Sequence, residues 1–394
     1  MPTDGGAGFR AAPGRFPRRV LASSLLVLVL ASSLLVLVLA SPPLAGDPPA
    51  PPRAFAVFGY LPEYRLAGTD WNATLSRVTH LALFSLEVTS DAKLASLDRF
   101  PDAATFARIR AAADARGARV LVTLGGAGRT GGLPLVAASG PKRRALVRTL
   151  VAFCRAKALD GVDFNWEYPR DDADFASLAS LLRAASAPFR DANLVATMAY
   201  HPLDGRSEAF LASAKVARHV HLAHAMAYDR PDRDGRHASL ALADATLAEA
   251  RRADETETLA RVVALGVPFY ARHARTGEAR TYAELVRELE REREREEGGD
   301  SPRGDSEAEA EADVLKNFER RALARGWSVD GPRTARAKVR AARDAGAAGV
   351  AVWELGQDLH PDDPRSLLRA IDEEARRGRA DGAEGARGET RDEL

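Results

Sequence analysis

Between residue 54 and about residue 372, short apolar runs alternate with longer stretches rich in Ala, Leu and Arg. The runs AFAVFGY (54–60), VTHLALFSLEV (78–88), ARVLVTLGG (118–126) and GVDFNWE (161–167) have the length and the β-branched or aromatic content of strands. NLVATMAY (193–200), HVHLAHAMAY (219–228), RVVALGVPFY (261–270) and AGVAVWEL (348–355) follow in the same manner. Between them, stretches such as 102–116, 141–158, 172–190 and 333–345 space apolar residues three and four apart, the period of a helix. Eight strands with intervening helices predict an α/β fold, a closed parallel (β/α)8 TIM barrel over residues 54–372. An open doubly wound sheet would want a Gly-rich phosphate turn after its first strand, and GYLPEYR offers none.

The alternation breaks between the seventh and eighth runs. Residues 284–313 hold thirteen acids against five bases; Glu/Arg alternation followed by Gly, Ser, Asp and Glu-Ala predicts a solvated helix running into a disordered insertion. At the start of the chain, residues 1–20 carry a local charge of +3, and Val20–Ala40 is uncharged and contains ASSLLVLVL twice. A basic lead, an apolar run and a small-residue exit read as a secretory signal peptide within 1–40. The run is also long enough to cross a bilayer, so an uncleaved signal anchor is the rival. SPPLAGDPPAPPR (41–53) reads as an extended Pro-rich linker. Residues 373–394 read as a flexible tail, and the closing Arg391-Asp392-Glu393-Leu394 resembles the tetrapeptide bound by the endoplasmic reticulum retrieval receptor. Together these segments predict residence in the lumen of that compartment, with secretion or membrane anchoring as the alternative.

Composition adds exclusions. With 46% hydrophobic and 28% charged residues, the chain is neither disordered nor collagen-like. A formal net charge of +1 argues against a nucleic-acid partner. That charge is a sum of unlike parts, +3 in the leader, −8 in the insertion and −2 in the tail, which leaves +8 on the rest. The single cysteine, Cys154, permits neither an intrachain disulfide nor a cysteine-rich zinc site, and its place on a helix predicts a small buried hydrophobe. His201, His219, His221, His224, His237 and His273 show no metal-ligand spacing with nearby acids; they read as surface or core residues, and no metal is expected. Asn72-Ala73-Thr74 is an N-glycosylation sequon.

The candidate chemistry lies in the fourth run. Strand side chains alternate, so Asp163, Asn165 and Glu167 share one face while Phe164 and Trp166 share the other. Bulky apolar residues belong against the helices, which puts the polar triplet inside the barrel. At a rise of about 3.3 Å per residue it forms a column some 13 Å tall with Glu167 at the mouth. Charges in such a lumen are costly unless paired or used. An acid at the lip above a second acid has the layout of a tuned general acid. Asp160, of the wrong parity for this face, reads as a structural turn or cap residue.

The string DGVDFNWEYP closely resembles the signature of family 18 glycoside hydrolases, the chitinase family. FGYLPEYR (58–65) is similar to that family's first strand, VLVTLGG (120–126) to its third with Thr123 where serine is usual, and MAYD (226–229) to its sixth. GVPFYAR (266–272) and GVAVWELGQDL (349–359) are similar to the seventh and eighth. The resemblance implies a retaining, substrate-assisted mechanism without cofactor. Glu167 would protonate the glycosidic oxygen and then activate water, while the substrate's own 2-acetamido carbonyl attacks the anomeric carbon. Asp163 would tune charge from beneath. Tyr228 would hydrogen-bond the acetamido carbonyl, Asp229 would support the sugar, Trp353 would floor the pocket, and Tyr60 and Met226 would shape it. One position departs from the pattern, since Asn165 stands where the family has a third aspartate. It retains an acceptor for the acetamido N–H and loses a negative charge, which predicts an active but attenuated enzyme, or one with a shifted pH optimum. The expected substrate is a chitin-type oligosaccharide or the core of an N-glycan. A catalytically weak, lectin-like glycan binder is the alternative.

Overall fold

The computed structural model describes residues 55–253, 259–296 and 318–388. Eight parallel strands close on one another: β1 (Ala56–Pro62), β2 (His80–Val88), β3 (Arg119–Gly125), β4 (Gly161–Asn165), β5 (Val195–Tyr200), β6 (Leu222–Ala225), β7 (Val263–Pro268) and β8 (Gly349–Trp353). β1 pairs with both β2 and β8, Phe58 opposite His80 and Ala56 opposite Gly349, which completes the expected (β/α)8 barrel.

Period-two alternation divides the core in two. Ala56, Phe58 and Tyr60 of β1 point inward and pack with Ala82, Phe84, Leu121, Val195, Leu222, Ala264 and Ala351. Val57 and Leu61 point outward into a larger cluster shared with the helices. The helices begin where a cap satisfies their free N–H groups. Asp102 accepts from Ala104 and Thr105 ahead of Ala103–Arg116, and Asp171 from Asp174 ahead of Asp172–Asp191. Gly117, left-handed at φ 68°, ends the first of these, a conformation that favours glycine.

Several expected boundaries change. β4 ends at Asn165, so Glu167 lies just beyond the strand. β6 spans four residues of the ten-residue run. After β7 the chain adds Tyr270–His273, the centre of a three-stranded antiparallel sheet with Ala279–Thr281 and Trp327–Ser328. The acidic insertion opens with the helix Tyr282–Glu296, which is not simply solvated, because Tyr282, Leu285, Val286 and Leu289 are buried. The segment expected as a flexible tail from residue 373 instead continues the helix Leu367–Gly388, and Glu374 and Ala375 are buried. The signal segment, the Pro-rich linker, residues 297–313 of the insertion and the terminal Arg391–Leu394 lie outside the described residues. Among the described residues no helix is long and apolar enough to cross a membrane.

Cys154 is buried, and burial pushes its thiol up to about 12. Asn72 is exposed on the short helix Trp71–Leu75, with Thr74 of the sequon buried.

Candidate active site

Phe164 and Trp166 turn outward as the alternation requires, Phe164 packing 6.2 Å from Phe189 of the helix Asp172–Asp191. Asp163 turns inward and is fully buried. Its Oδ1 accepts from Thr197 at 2.6 Å, and its Oδ2 accepts from Tyr60 at 3.0 Å and Thr123 at 3.1 Å. Burial pushes this carboxyl up to about 6, against those three hydroxyls, which favour its charged form. The Glu167 charge above adds to the upward push.

Asn165 is also buried, and its Oδ1 has no hydrogen-bond partner. Its side chain bonds to the Glu167 carboxyl, which also receives the Tyr168 hydroxyl and the Ala127 N–H. Burial nevertheless holds Glu167 above the usual carboxylate range. The Ala127 N–H reaches it through the glycine pair at the end of β3. Gly125 and Gly126 take φ values of 102° and 103°, a region L-residues avoid. A Cβ on Gly125 would stand 2.2 Å from the Asn165 carbonyl, and the Gly126 N–H donates to that same oxygen at 2.7 Å.

Above β6, Tyr228 is half-buried, and burial and the neighbouring carboxylates raise its hydroxyl well above the usual value. Gly266 makes room for it, since a Cβ there would lie 2.9 Å from the Tyr228 ring and 2.5 Å from the Ala225 carbonyl. Asp229 accepts from Arg272 Nε at 2.7 Å and lies 3.4 Å from His237 Nδ1. Burial alone would raise the Asp229 carboxyl, but bonds from His237, Arg272 and Tyr270 hold it well below the usual range.

These groups surround a pocket of about 320 Å³ at the C-terminal end of the barrel, where the fold places its chemistry. Tyr60, Asn165, Glu167, Met226, Tyr228, Asp229 and Trp353 all line it. Trp353 meets Phe84 and Tyr60 edge-on at ring separations of 4.7 and 5.6 Å. Asp163 and Thr123 lie beneath. Asp160 sits outside the site at the opposite end, where its Oδ2 accepts from the Val120 N–H at 2.7 Å and Arg110 at 2.6 Å, stitching β3 to β4 as a structural residue should. Exposed Asn72 is not among the lining residues.

Two features went unforeseen. Arg129 grips Glu63 with two bonds, at 2.8 and 3.1 Å, reaches Ser85 at 3.2 Å and covers Phe84 at the pocket wall. His224, read only as a surface or core histidine, is buried beside Asp163 with Nδ1 2.6 Å from the Tyr60 hydroxyl. Its parity with Leu222 and Met226 could have placed it in the lumen. Among the described residues no group of three His, Cys, Asp or Glu side chains is arranged to hold a metal ion.

Known structures share this architecture. A group IV chitinase from Ostrinia furnacalis, solved with allosamidin, superposes with a TM-score of 0.61 at 18% identity, covering 81% of this chain and 98% of that one. A chitinase from Bacteroides thetaiotaomicron gives 0.60 at 20% identity, over 82% and 96%. A class V chitinase variant from Nicotiana tobaccum in complex with NAG4 gives 0.59 at 17% identity, over 82% and 99%. At such identities the likeness establishes the fold. The sequence model of the glycosyl hydrolases family 18 matches residues 56–358, the barrel from β1 to just past β8. With that match over most of its length, the chain belongs to glycosyl hydrolase family 18.

Proposed function

We propose that this pocket hydrolyses β-1,4-linked N-acetylglucosamine with retention, using the substrate's acetamido group as nucleophile. The observation that carries the reading is Glu167, a pocket-lining carboxyl that burial keeps protonated to higher pH, set above the buried acid Asp163. Glu167 donates its proton to the glycosidic oxygen as the acetamido carbonyl attacks the anomeric carbon, and the ionised Glu167 then takes a proton from the water that opens the oxazolinium. The Tyr228 hydroxyl donates to the acetamido carbonyl. The unpartnered Asn165 Oδ1 accepts the acetamido N–H, which satisfies a buried acceptor that is otherwise unpaired. Asp163 supplies negative charge from below, and Trp353 provides an apolar wall for the sugar ring. That three structurally similar proteins are chitinases, one holding NAG4, supports a chitin-type oligosaccharide as substrate.

Asn165 contributes no charge to the cationic intermediate. Its presence in place of an acid costs on the order of a hundredfold in rate. Hydrolysis of an aryl chitobioside by the wild type, Glu167→Gln and Asn165→Asp tests both claims. Glu167→Gln should lose at least about a thousandfold in kcat while still binding oligosaccharide, and Asn165→Asp should be faster than wild type. A slower aspartate variant contradicts the attenuation.

The second reading, a lectin-like glycan binder, is favoured by Asn165 alone. Oligosaccharide binding without product, with residual turnover unchanged in Glu167→Gln, would establish it. The signal segment and the Arg391–Leu394 terminus support retention in the endoplasmic reticulum lumen, where N-glycan cores are the alternative substrate. Imaging a full-length chain against one lacking those four residues tests this, and identical distributions would refute it.

A further inference from the structure

The buried floor of the pocket holds a titratable group that the mechanism above does not use. His224 on β6 packs against Phe58, the rings tilted by 49° at a separation of 4.0 Å. Its Nδ1 lies 2.6 Å from the Tyr60 hydroxyl and 3.6 Å from Asp163 Oδ1, and its Nε2 is buried with no partner. Asn165, which bonds to Glu167, supplies no second acid beside Asp163.

We propose that His224 is a positioning residue that acts through the Tyr60 hydroxyl to set the charge of Asp163, supplying the second titratable group that Asn165 does not. The Tyr60 O–H has two acceptors within reach, Asp163 Oδ2 at 3.0 Å and His224 Nδ1, and one proton to give. When Asp163 is ionised the hydroxyl donates to it, and Nδ1 carries the ring proton and donates to the Tyr60 oxygen. When Asp163 is protonated it donates to the Tyr60 oxygen, the hydroxyl turns to Nδ1, and the ring proton sits on Nε2. Passing from the second state to the first, Asp163 gives its proton to the Tyr60 oxygen, Tyr60 gives its own to Nδ1, and Nε2 releases one to water entering the pocket that His224 lines. The protein loses a single proton and leaves an anion beneath the site of the developing cation. The charge of Asp163 is thereby tied to the tautomer of His224.

The surroundings suit a neutral ring that changes tautomer. Its register partners on β5 and β7 are Ala199 and Ala264. The other titratable groups facing the cluster are His80 of β2, stacked on Phe58 at 5.8 Å, and Glu167 and Tyr228 near Tyr60. Burial, with His80 adding to it, pushes His224 down to about 3, so the ring stays neutral where Asp163 titrates.

This inference rests on the glycosidase reading for its catalytic meaning, and its first test does not need activity. In protein labelled with ¹⁵N-histidine, the His224 resonances, identified by their loss in His224→Asn, should switch between the two neutral tautomers as pH rises from 4.5 to 8. In Tyr60→Phe the switch should vanish. Flat His224 shifts across that range, or a switch that survives Tyr60→Phe, overturns the proposal. With an active enzyme, His224→Leu should move the acidic limb of the kcat/KM profile upward by about one pH unit, because Tyr60 then donates less strongly to ionised Asp163. His224→Asn, which keeps a donor, should move it less. An unmoved limb in a folded His224→Leu protein also overturns the proposal. Absence of hydrolysis in every variant and in wild type would instead count against the glycosidase reading and leave the resonance experiment decisive. If His224→Leu does not fold, the wild-type and Tyr60→Phe spectra decide alone.

Discussion

Asp163 carries a stability cost with a definite sign. In the unfolded chain its carboxyl ionises near pH 4, and in the folded barrel at about 6. Between those values the folded protein holds a proton that the unfolded chain has released. The group therefore favours folding below pH 4, and that contribution is lost as pH rises through 6. The difference is on the order of 3 kcal/mol. Asp163→Asn does not titrate, so its stability relative to wild type should improve by about 2–3 kcal/mol between pH 4 and pH 7 in urea melts; a difference independent of pH would refute this. Strand parity alone was enough to place Asp163 and Asn165 in the lumen and Phe164 and Trp166 outside, because period two holds wherever a strand is regular. It also put Glu167 at the mouth, where Glu167 lines the pocket, but could not show the bonds that hold its carboxyl there. The strand ends at Asn165, and the carboxyl is met by the Ala127 N–H that follows the left-handed Gly125–Gly126 turn. His224 obeyed the same parity but was read only as a surface or core residue. The Arg129–Glu63 pair joins the short helical turn after β1 to the loop after β3, which no periodicity connects.

At the scale of elements, tight contacts between strand ends position the site. Gly266 on β7 has an ordinary backbone conformation, so its requirement is one of space. The added methyl of Gly266→Ala meets the Ala225 carbonyl and the Tyr228 ring, and neither can move without disturbing the β6 end. We expect a loss of about 1–3 kcal/mol in stability and at least tenfold in kcat/KM as Tyr228 shifts, about 1.4 kcal/mol of transition-state binding. Thermal melts paired with kinetics check it; unaltered kcat/KM would show that Tyr228 does not depend on this packing. The eight strands and the main helices were legible because each lies in an apolar run or helical pattern of at least seven residues, the four-residue β6 within a run of ten. The sheet of Tyr270–His273, Ala279–Thr281 and Trp327–Ser328 was not, since strands of two to four residues are too short for a period to show. The helix Tyr282–Glu296 was legible as a helix, but its charge hid the buried row of Leu285, Val286 and Leu289.

At the scale of the whole barrel, the family match ends at residue 358 but the fold does not. The helix Leu367–Gly388 buries Leu367, Leu368, Ala370, Ile371 and Ala375. Asp358 accepts from the N–H groups of Leu367 and Leu368, and Arg77 pairs with Asp372 at 3.5 Å. Burying two leucines and an isoleucine contributes roughly 5–9 kcal/mol, comparable with the net stability of a typical domain, about 5–15 kcal/mol. A chain truncated after residue 358 should fail to fold, and one truncated after residue 377 should melt near the full-length temperature. Soluble yield and circular dichroism distinguish them, and a folded short form would contradict the account.

Because β1 pairs with β8 as well as β2, one edge of the first strand waits for the last. On a ribosome adding roughly 5–20 residues per second, the 290 or so residues between Gly59 and Gly349 take about 15–60 s to make. Throughout that interval the nascent chain presents an open strand edge, Ala56–Gly59, of the kind that recruits other strands. The closed barrel has no such edge, so its greatest exposure to misassembly falls during synthesis, and partners that shield emerging chains would act before the final strand is made.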